Sequence, residues 1–204
     1  MSFDRLLAHP GVEEVCELRS SFGMMAFHGG ALEVMTDVIA RTVAERAGAS
    51  YYGVHQPSDL LWHLPSIEID PAHSPALTAF LDHVDIVVTV HGYGRDGFWT
   101  TLLLGGGNRA LADHLAGHLS AALPTYDVMT DLEQIPLPLR GLHADNPVNR
   151  PRQAGVQLEL PPRARGAGRM WQDWKGPGLV PHTVAVIEAL VAAVTSWPAA
   201  TATG

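Results

Sequence analysis

The chain has 204 residues, 47% of them apolar, and a formal net charge of −8. That size suits one domain with a substantial core, and it excludes both two ordinary domains and a largely disordered chain. A single cysteine, Cys16, excludes an internal disulfide and a thiolate metal cage, while the negative charge speaks against a nucleic-acid partner.

No apolar run approaches the roughly 20 residues needed to cross a bilayer, so no membrane partner is expected. Residues 1–10 lack the cationic start and long apolar middle of a secretory signal. A cytoplasmic location is the default expectation, with lysis as the route of any release. Charge is unevenly spread. Between Arg140 and Lys175 there are seven Lys/Arg against three acids, leaving six against eighteen elsewhere. This basic island suits either a local anionic ligand or a solvated arginine-rich loop.

In chain order, residues 3–21 read as a lead-in with a short edge strand at 12–18. Residues 23–27 form the first strand, and two glycines turn the chain into an amphipathic helix over 31–47. In that helix Leu32, Met35, Val38, Ile39 and Val43 recur at helical spacing, and Gly48 stops it. Strands follow at 50–54 and, as an extended stretch, within 60–69. A short helix over 76–83 leads to an apolar strand at 85–90. Another strand at 98–104 closes on three glycines, and Asn108 caps a helix to about 123. A strand at 126–130 precedes a proline-rich functional loop at 132–151. A further strand at 156–160, an irregular stretch and a last helix at 183–197 complete the order. The reading is an α/β fold: a three-layer sandwich around a mixed, mostly parallel sheet, formed by a single domain over 1–197 with a mobile tail at 198–204.

His28 sits where the first strand ends, and Glu33 is expected on the first turn of the next helix. His91 ends the 85–90 strand in the same way. Open α/β folds bind ligands beyond the carboxyl ends of their strands. Two histidines and one carboxylate in that region make the ligand set of a catalytic zinc with one place left for water. The same His-Gly pairs would also suit plain turns. Glu159 interrupts an otherwise apolar strand, so it either faces the metal as a general base or alternates outward with Gln157. His55 and His63 read as packing or surface residues, His114 and His118 as an exposed helix face, and Cys16 as inert.

The run His28-Gly29-Gly30-Ala31-Leu32-Glu33 with Thr36 and Ile39-Ala40 is followed by His91-Gly92 and Gly105-Gly106. Asn146-Pro147-Val148-Asn149-Arg150 comes next, then Gly155-Val156-Gln157-Leu158-Glu159-Leu160. In this order the motifs resemble the poly-γ-glutamate hydrolase family, bacterial and phage zinc amidohydrolases related to zinc carboxypeptidases. The resemblance implies a carboxypeptidase-like fold with one Zn2+ held by His28, Glu33 and His91, and Glu159 as general acid/base. It implies hydrolysis of amide bonds in γ-linked polyglutamate, with a zinc-held water as the nucleophile. Asn149-Arg150 resembles the carboxylate-binding Asn-Arg pair of carboxypeptidases. Arg150, Arg163 and Arg165 flank the Glu159 strand, and their planar forks suit the free carboxylate of each γ-glutamyl unit. The alternatives are a zinc deacylase or carboxypeptidase for another acyl-amino acid or cell-wall peptide, or a phage-associated binding domain without turnover.

Overall fold

The computed structural model describes residues 2–198, so the tail expected at 198–204 lies outside them except for Pro198. The strands are β1 (Glu13–Glu17), β2 (Phe22–Gly30), β3 (Ser50–Gln56), β4 (Ile86–Gly92), β5 (Thr101–Gly105), β6 (Asp127–Met129) and β7 (Gly155–Leu160). The helices are α1 (Phe3–Leu7), α2 (Thr36–Ala47), α3 (Pro75–His83), α4 (Arg109–Ala122) and α5 (Pro181–Ser196). All seven strands join one sheet in the order β1-β3-β2-β4-β7-β5-β6. Only β1 on β3 and β5 on β7 pair antiparallel; the other neighbours are parallel.

The layers follow from alternation along the central strands. In β2, Met24 and Ala26 enter the core beneath α2, α4 and α5, while Met25 and Phe27 enter the core beneath α1 and α3. A strand buried on both faces reads as a continuous apolar run, as β2 and β4 do. The starts of α4 and α3 are fixed by side chains: Asn108 Oδ1 accepts from the Leu111 N–H at 2.9 Å, and Ser74 Oγ accepts from the Leu77 N–H. Each such cap contributes about 1 kcal/mol.

β2, β4 and β7 lie side by side and parallel, so their carboxyl ends open on one side of the sheet. There β2 shifts register against β3 between Ala26 and Gly29. Gly30, at φ 70°, follows; a Cβ on it would meet the Gln56 carbonyl oxygen at 2.4 Å.

Three expectations are corrected. The helix expected from residue 31 begins at Thr36, after Met35 at φ 77°. The intervening turn is closed by the Glu33 N–H on the His28 carbonyl at 2.9 Å and by Thr36 Oγ1–H on the Glu33 carbonyl at 2.8 Å. Glu33 therefore comes from a turn, not from a helix. The extended stretch within 60–69 joins no sheet, because β3 already has β1 and β2 on its two edges. It is held instead by the Gln56 amide, which donates to the Trp62 carbonyl and accepts from the Trp62 N–H. The lead-in contains α1, whose Phe3 and Leu6 are fully buried.

Candidate active site

The open end of β2, β4 and β7 holds a cleft of about 830 Å³ lined by His28, Glu33, His91 and Glu159 together. Small-molecule sites fall in this size range. His28 comes from β2, His91 from β4 and Glu159 from β7, where His91 and Glu159 are directly paired across the strands. Glu33 reaches between the two imidazoles from the turn after β2. Its Oε1 lies 3.0 Å from His28 Nδ1, and its Oε2 lies 3.5 Å from His91 Nδ1. The Gly92 N–H donates to Oε2 at 2.8 Å.

These contacts set the protonation of the group. His28 Nε2 stands 2.8 Å from the Leu64 carbonyl, which can only accept, so Nε2 carries the proton. Nδ1 is then left facing a carboxylate oxygen at 3.0 Å, a contact that is favourable only with positive charge between the two atoms, whether a proton or a metal ion. Burial pushes the Glu33 carboxyl up, yet the charges and hydrogen bonds of His28 and His91 outweigh it and hold the group far below the usual carboxylate range. For His91 burial works downward, and the hydrogen bond to Glu33 with the charges of Glu159 and Glu33 raises it overall. His91 Nε2 is buried with no hydrogen-bond partner among the described residues. One ligand atom from each of His28, Glu33 and His91 lies within 4.8 Å of the others, a compact mixed imidazole–carboxylate set that fits a divalent cation. The Leu64 carbonyl orients the first imidazole from outside, as such ligands require.

Glu159 is 3% exposed and sits on a strand buried at all six positions, so the outward alternation with Gln157 does not occur. Gln157 Nε2 donates to Glu159 Oε1 at 2.9 Å, and Asn146 Nδ2 donates to Gln157 Oε1 at 2.8 Å. This relay fixes the carboxyl and leaves Oε2 free. Burial pushes the Glu159 carboxyl up, and the Glu33 charge adds to it. The charges of His91 and Arg165 and the Gln157 hydrogen bond oppose, and the net is a rise to about 7. In the metal-free protein the folded state thus holds this proton more tightly than the unfolded state does. The resulting stabilisation is complete below the ordinary value of 4.5 and is lost as pH rises through about 7. Urea unfolding of metal-free wild type and Glu159→Gln across this window should show the wild type losing ground as pH rises. A pH-independent difference would contradict the raised carboxyl.

The remaining expected site residues lie outside the cleft lining. Asn149 is a loop clamp: Nδ2 donates to the Gly141 and His143 carbonyls, and Oδ1 accepts from the Gly107 N–H. It holds the wall of the cleft rather than its contents. Arg150 is exposed and faces Asp145 at 3.7 Å, and Arg163 lies over the Tyr126 ring. Arg165 is buried beside Gly92, donating to the Leu160 and Val34 carbonyls at 3.1 and 2.6 Å. Its charge attracts Glu33 and Glu159, and a Cβ on Gly92, itself in the cleft lining, would meet its Cζ at 2.6 Å. Sequence proximity to the Glu159 strand carried no information about which way these loops fold.

Other residues enter the cleft without a sequence signal of their own. His63, from the stretch that joins no sheet, packs its ring 4.7 Å from that of His28 and reaches within 3.9 Å of Glu33. Gln157 and Asn146 stood within the quoted motifs, but nothing in their spacing announced the relay to Glu159. His114 and His118 line a separate groove between α4 and α5, where His114 Nε2 donates to the Ala193 carbonyl. No helix among the described residues is long and apolar enough to cross a membrane.

Comparison with known proteins completes the picture. A family model described as poly-gamma-glutamate hydrolase matches residues 4–187. Comparison with curated proteins gives no match. Among solved structures, a bacteriophage poly-gamma-glutamate hydrolase is 23% identical, with a TM-score of 0.74 over 90% of this chain and 87% of that one. YNDL in a zinc-free form is 19% identical, with a TM-score of 0.73 over 91% and 90%. A metallo-carboxypeptidase from Burkholderia cenocepacia is 10% identical, with a TM-score of 0.52 over 94% and 66%. At these identities the likenesses establish a shared, carboxypeptidase-like α/β fold.

Proposed function

The chain belongs to the poly-gamma-glutamate hydrolase family, and from that premise we propose that it hydrolyses γ-glutamyl amide bonds with one bound Zn2+. Residues 1–197 act as one catalytic domain. His28, Glu33 and His91 are the ligands of the ion. The observation that carries this reading is the convergence of these three side chains with a buried, singly tethered carboxyl, Glu159, in one cleft.

A divalent cation in this position supplies Lewis acidity, polarising a carbonyl and making water acidic near neutral pH. The chain's own residues do the rest. Gln157 holds Oε1 of Glu159, so Oε2 takes the proton as water adds to the scissile carbonyl carbon. The same oxygen returns the proton to the amide nitrogen as the C–N bond breaks, giving a carboxylic acid and an amine, which then ionise to carboxylate and ammonium. Burial of the carboxyl favours this exchange, because a base poised near neutrality gives and takes a proton with little cost in either direction. Asn146 and Gln157 keep the carboxyl aligned through the cycle.

The reading is tested by loading the purified protein with zinc and comparing γ-linked with α-linked glutamate oligomers of equal length. Release of new amino groups from the γ-linked series alone is expected. Equal cleavage of both would remove the γ-glutamyl specificity, and cleavage of neither would remove the activity.

A further inference from the structure

The segment between β3 and α3 joins no sheet, yet it is pinned on both sides of one residue. Before His63, the Trp62 backbone is held in both directions by the Gln56 amide, at 2.7 and 2.8 Å. After it, the Leu64 carbonyl accepts from His28 Nε2 at 2.8 Å and the Leu64 side chain is buried. Leu61, two residues ahead, is held at φ 45°, a strained conformation of the kind that collects at functional sites. His63 itself lies in the cleft lining with its side chain 60% exposed.

The imidazole of His63 stands at the metal-ligand cluster. Its ring lies 4.7 Å from that of His28, and its Nε2 lies 3.9 Å from Glu33 Oε1, beyond hydrogen-bond reach. No hydrogen bond among the described residues engages it. Apart from His28 and His91, no other basic side chain among the described residues pairs with Glu33 or Glu159. Other donors of the lining are committed: Gln157 and Asn146 to Glu159, the Gly92 N–H to Glu33, and the Tyr93 hydroxyl to the Phe98 and Thr101 carbonyls. Arg140, His143 and Ser66 complete the polar lining and suit the carboxylates of a γ-glutamyl chain. Along the row of strand ends Glu159 stands on the β7 side, and His63 flanks His28 on the β2 side. The ligand cluster thus lies between a proton acceptor and a hydrogen-bond donor.

We propose that His63 is a further catalytic residue, whose Nε2–H donates to the scissile carbonyl oxygen as negative charge develops there. A hydrogen on Nε2 is the favoured arrangement, because that nitrogen is turned toward the Glu33 carboxylate. No proton moves at this group. The π electrons of the carbonyl shift onto its oxygen as water adds, and the imidazole N–H holds that charge. They return as the C–N bond breaks, while Glu159 alone carries the proton. The proposal rests on the hydrolase reading for its reaction and adds to it a group that neither the ligand set nor the acid–base pair accounts for.

The test uses the zinc-loaded enzyme and two substitutions that separate the hydrogen bond from the packing. His63→Phe keeps a ring against His28 and loses the donor, whereas His63→Gln loses the ring and keeps an N–H in place of Nε2. For hydrolysis of a γ-glutamyl amide, kcat should fall about 100-fold or more in His63→Phe, with KM and metal content unchanged. His63→Gln should recover most of that loss. The reverse order, with phenylalanine the better substitute, would show a packing role and overturn the proposal. Unchanged kcat in His63→Phe would overturn it too, as would loss of the ion, which would make His63 a ligand. Calorimetric titration of a γ-glutamyl pseudodipeptide, with a phosphinate in place of the scissile amide, reads the contact without turnover. This tetrahedral anion should bind the wild type and His63→Gln more tightly than His63→Phe. With that order but no hydrolysis by the wild type, the hydrolase reading fails and the His63 contact stands. Equal binding by all three would sink the contact whatever the turnover.

Discussion

Replacing Glu159 with glutamine is expected to lower turnover of a γ-glutamyl amide roughly 100- to 10,000-fold, the range that a positioned acid–base group contributes. The substitution keeps the shape, and its amide oxygen still accepts from Gln157 Nε2, so the relay from Asn146 survives. Only the capacity to take a proton at the second oxygen is lost. Because Glu159 is not one of the three clustered ligand side chains, metal content should stay at that of the wild type. KM should change little, since the loss falls on the chemical step. Steady-state kinetics beside metal analysis of the same preparation reads both quantities. Unchanged turnover would remove Glu159 from the reaction, and loss of the ion would make it a ligand instead.

Glu33→Gln is expected to strip the protein of its metal and to abolish turnover with it. The carboxylate is doubly engaged, against His28 Nδ1 through Oε1 and with the Gly92 N–H on Oε2. An amide in its place must turn its NH2 either toward the Gly92 donor or toward the ion, and it brings no negative charge to offset the cation. The fall in affinity should exceed the roughly 10- to 100-fold that follows loss of an outer-shell partner. Metal analysis after dialysis should read one ion per chain for the wild type and close to none for the variant. His114→Ala, in the groove between α4 and α5, should keep the full complement. A variant at Glu33 that retained its ion would place the metal elsewhere.

The central strands were legible because they are buried on both faces. β2, β4 and β7 show as apolar runs ending in His-Gly, His-Gly and a Glu-bearing segment, and their ends define the site. What misled was local. Leu32 and Met35 continue the apolar spacing of α2 backward, yet the chain there makes a turn through Met35 in the left-handed region, and that turn delivers Glu33. Trp62-His63-Leu64 reads as an extended stretch, but β3 has no free edge to pair with it, so His63 is left at the cleft beside His28. A five-residue helix such as α1 is too short to show a period.

The basic island taught the opposite lesson. Seven cations within 140–175 suggested a clamp for anionic groups, but charge along a chain says nothing of direction. Arg165 turns inward to two carbonyls, Arg163 lies over Tyr126, and Arg150 faces Asp145. The side chains that hold the catalytic carboxyl, Asn146 and Gln157, are neutral and carry no periodic or charge signature. Their role depends on a contact across 11 residues of chain, which only the folded loop creates.

Diffraction from zinc-soaked crystals on either side of the zinc absorption edge would locate the ion without reference to activity. One dominant anomalous peak per chain is expected, within bonding distance of His28, Glu33 and His91 and facing Glu159. A dominant peak at any other group of side chains, or none at this cleft with the protein fully loaded, would contradict the account.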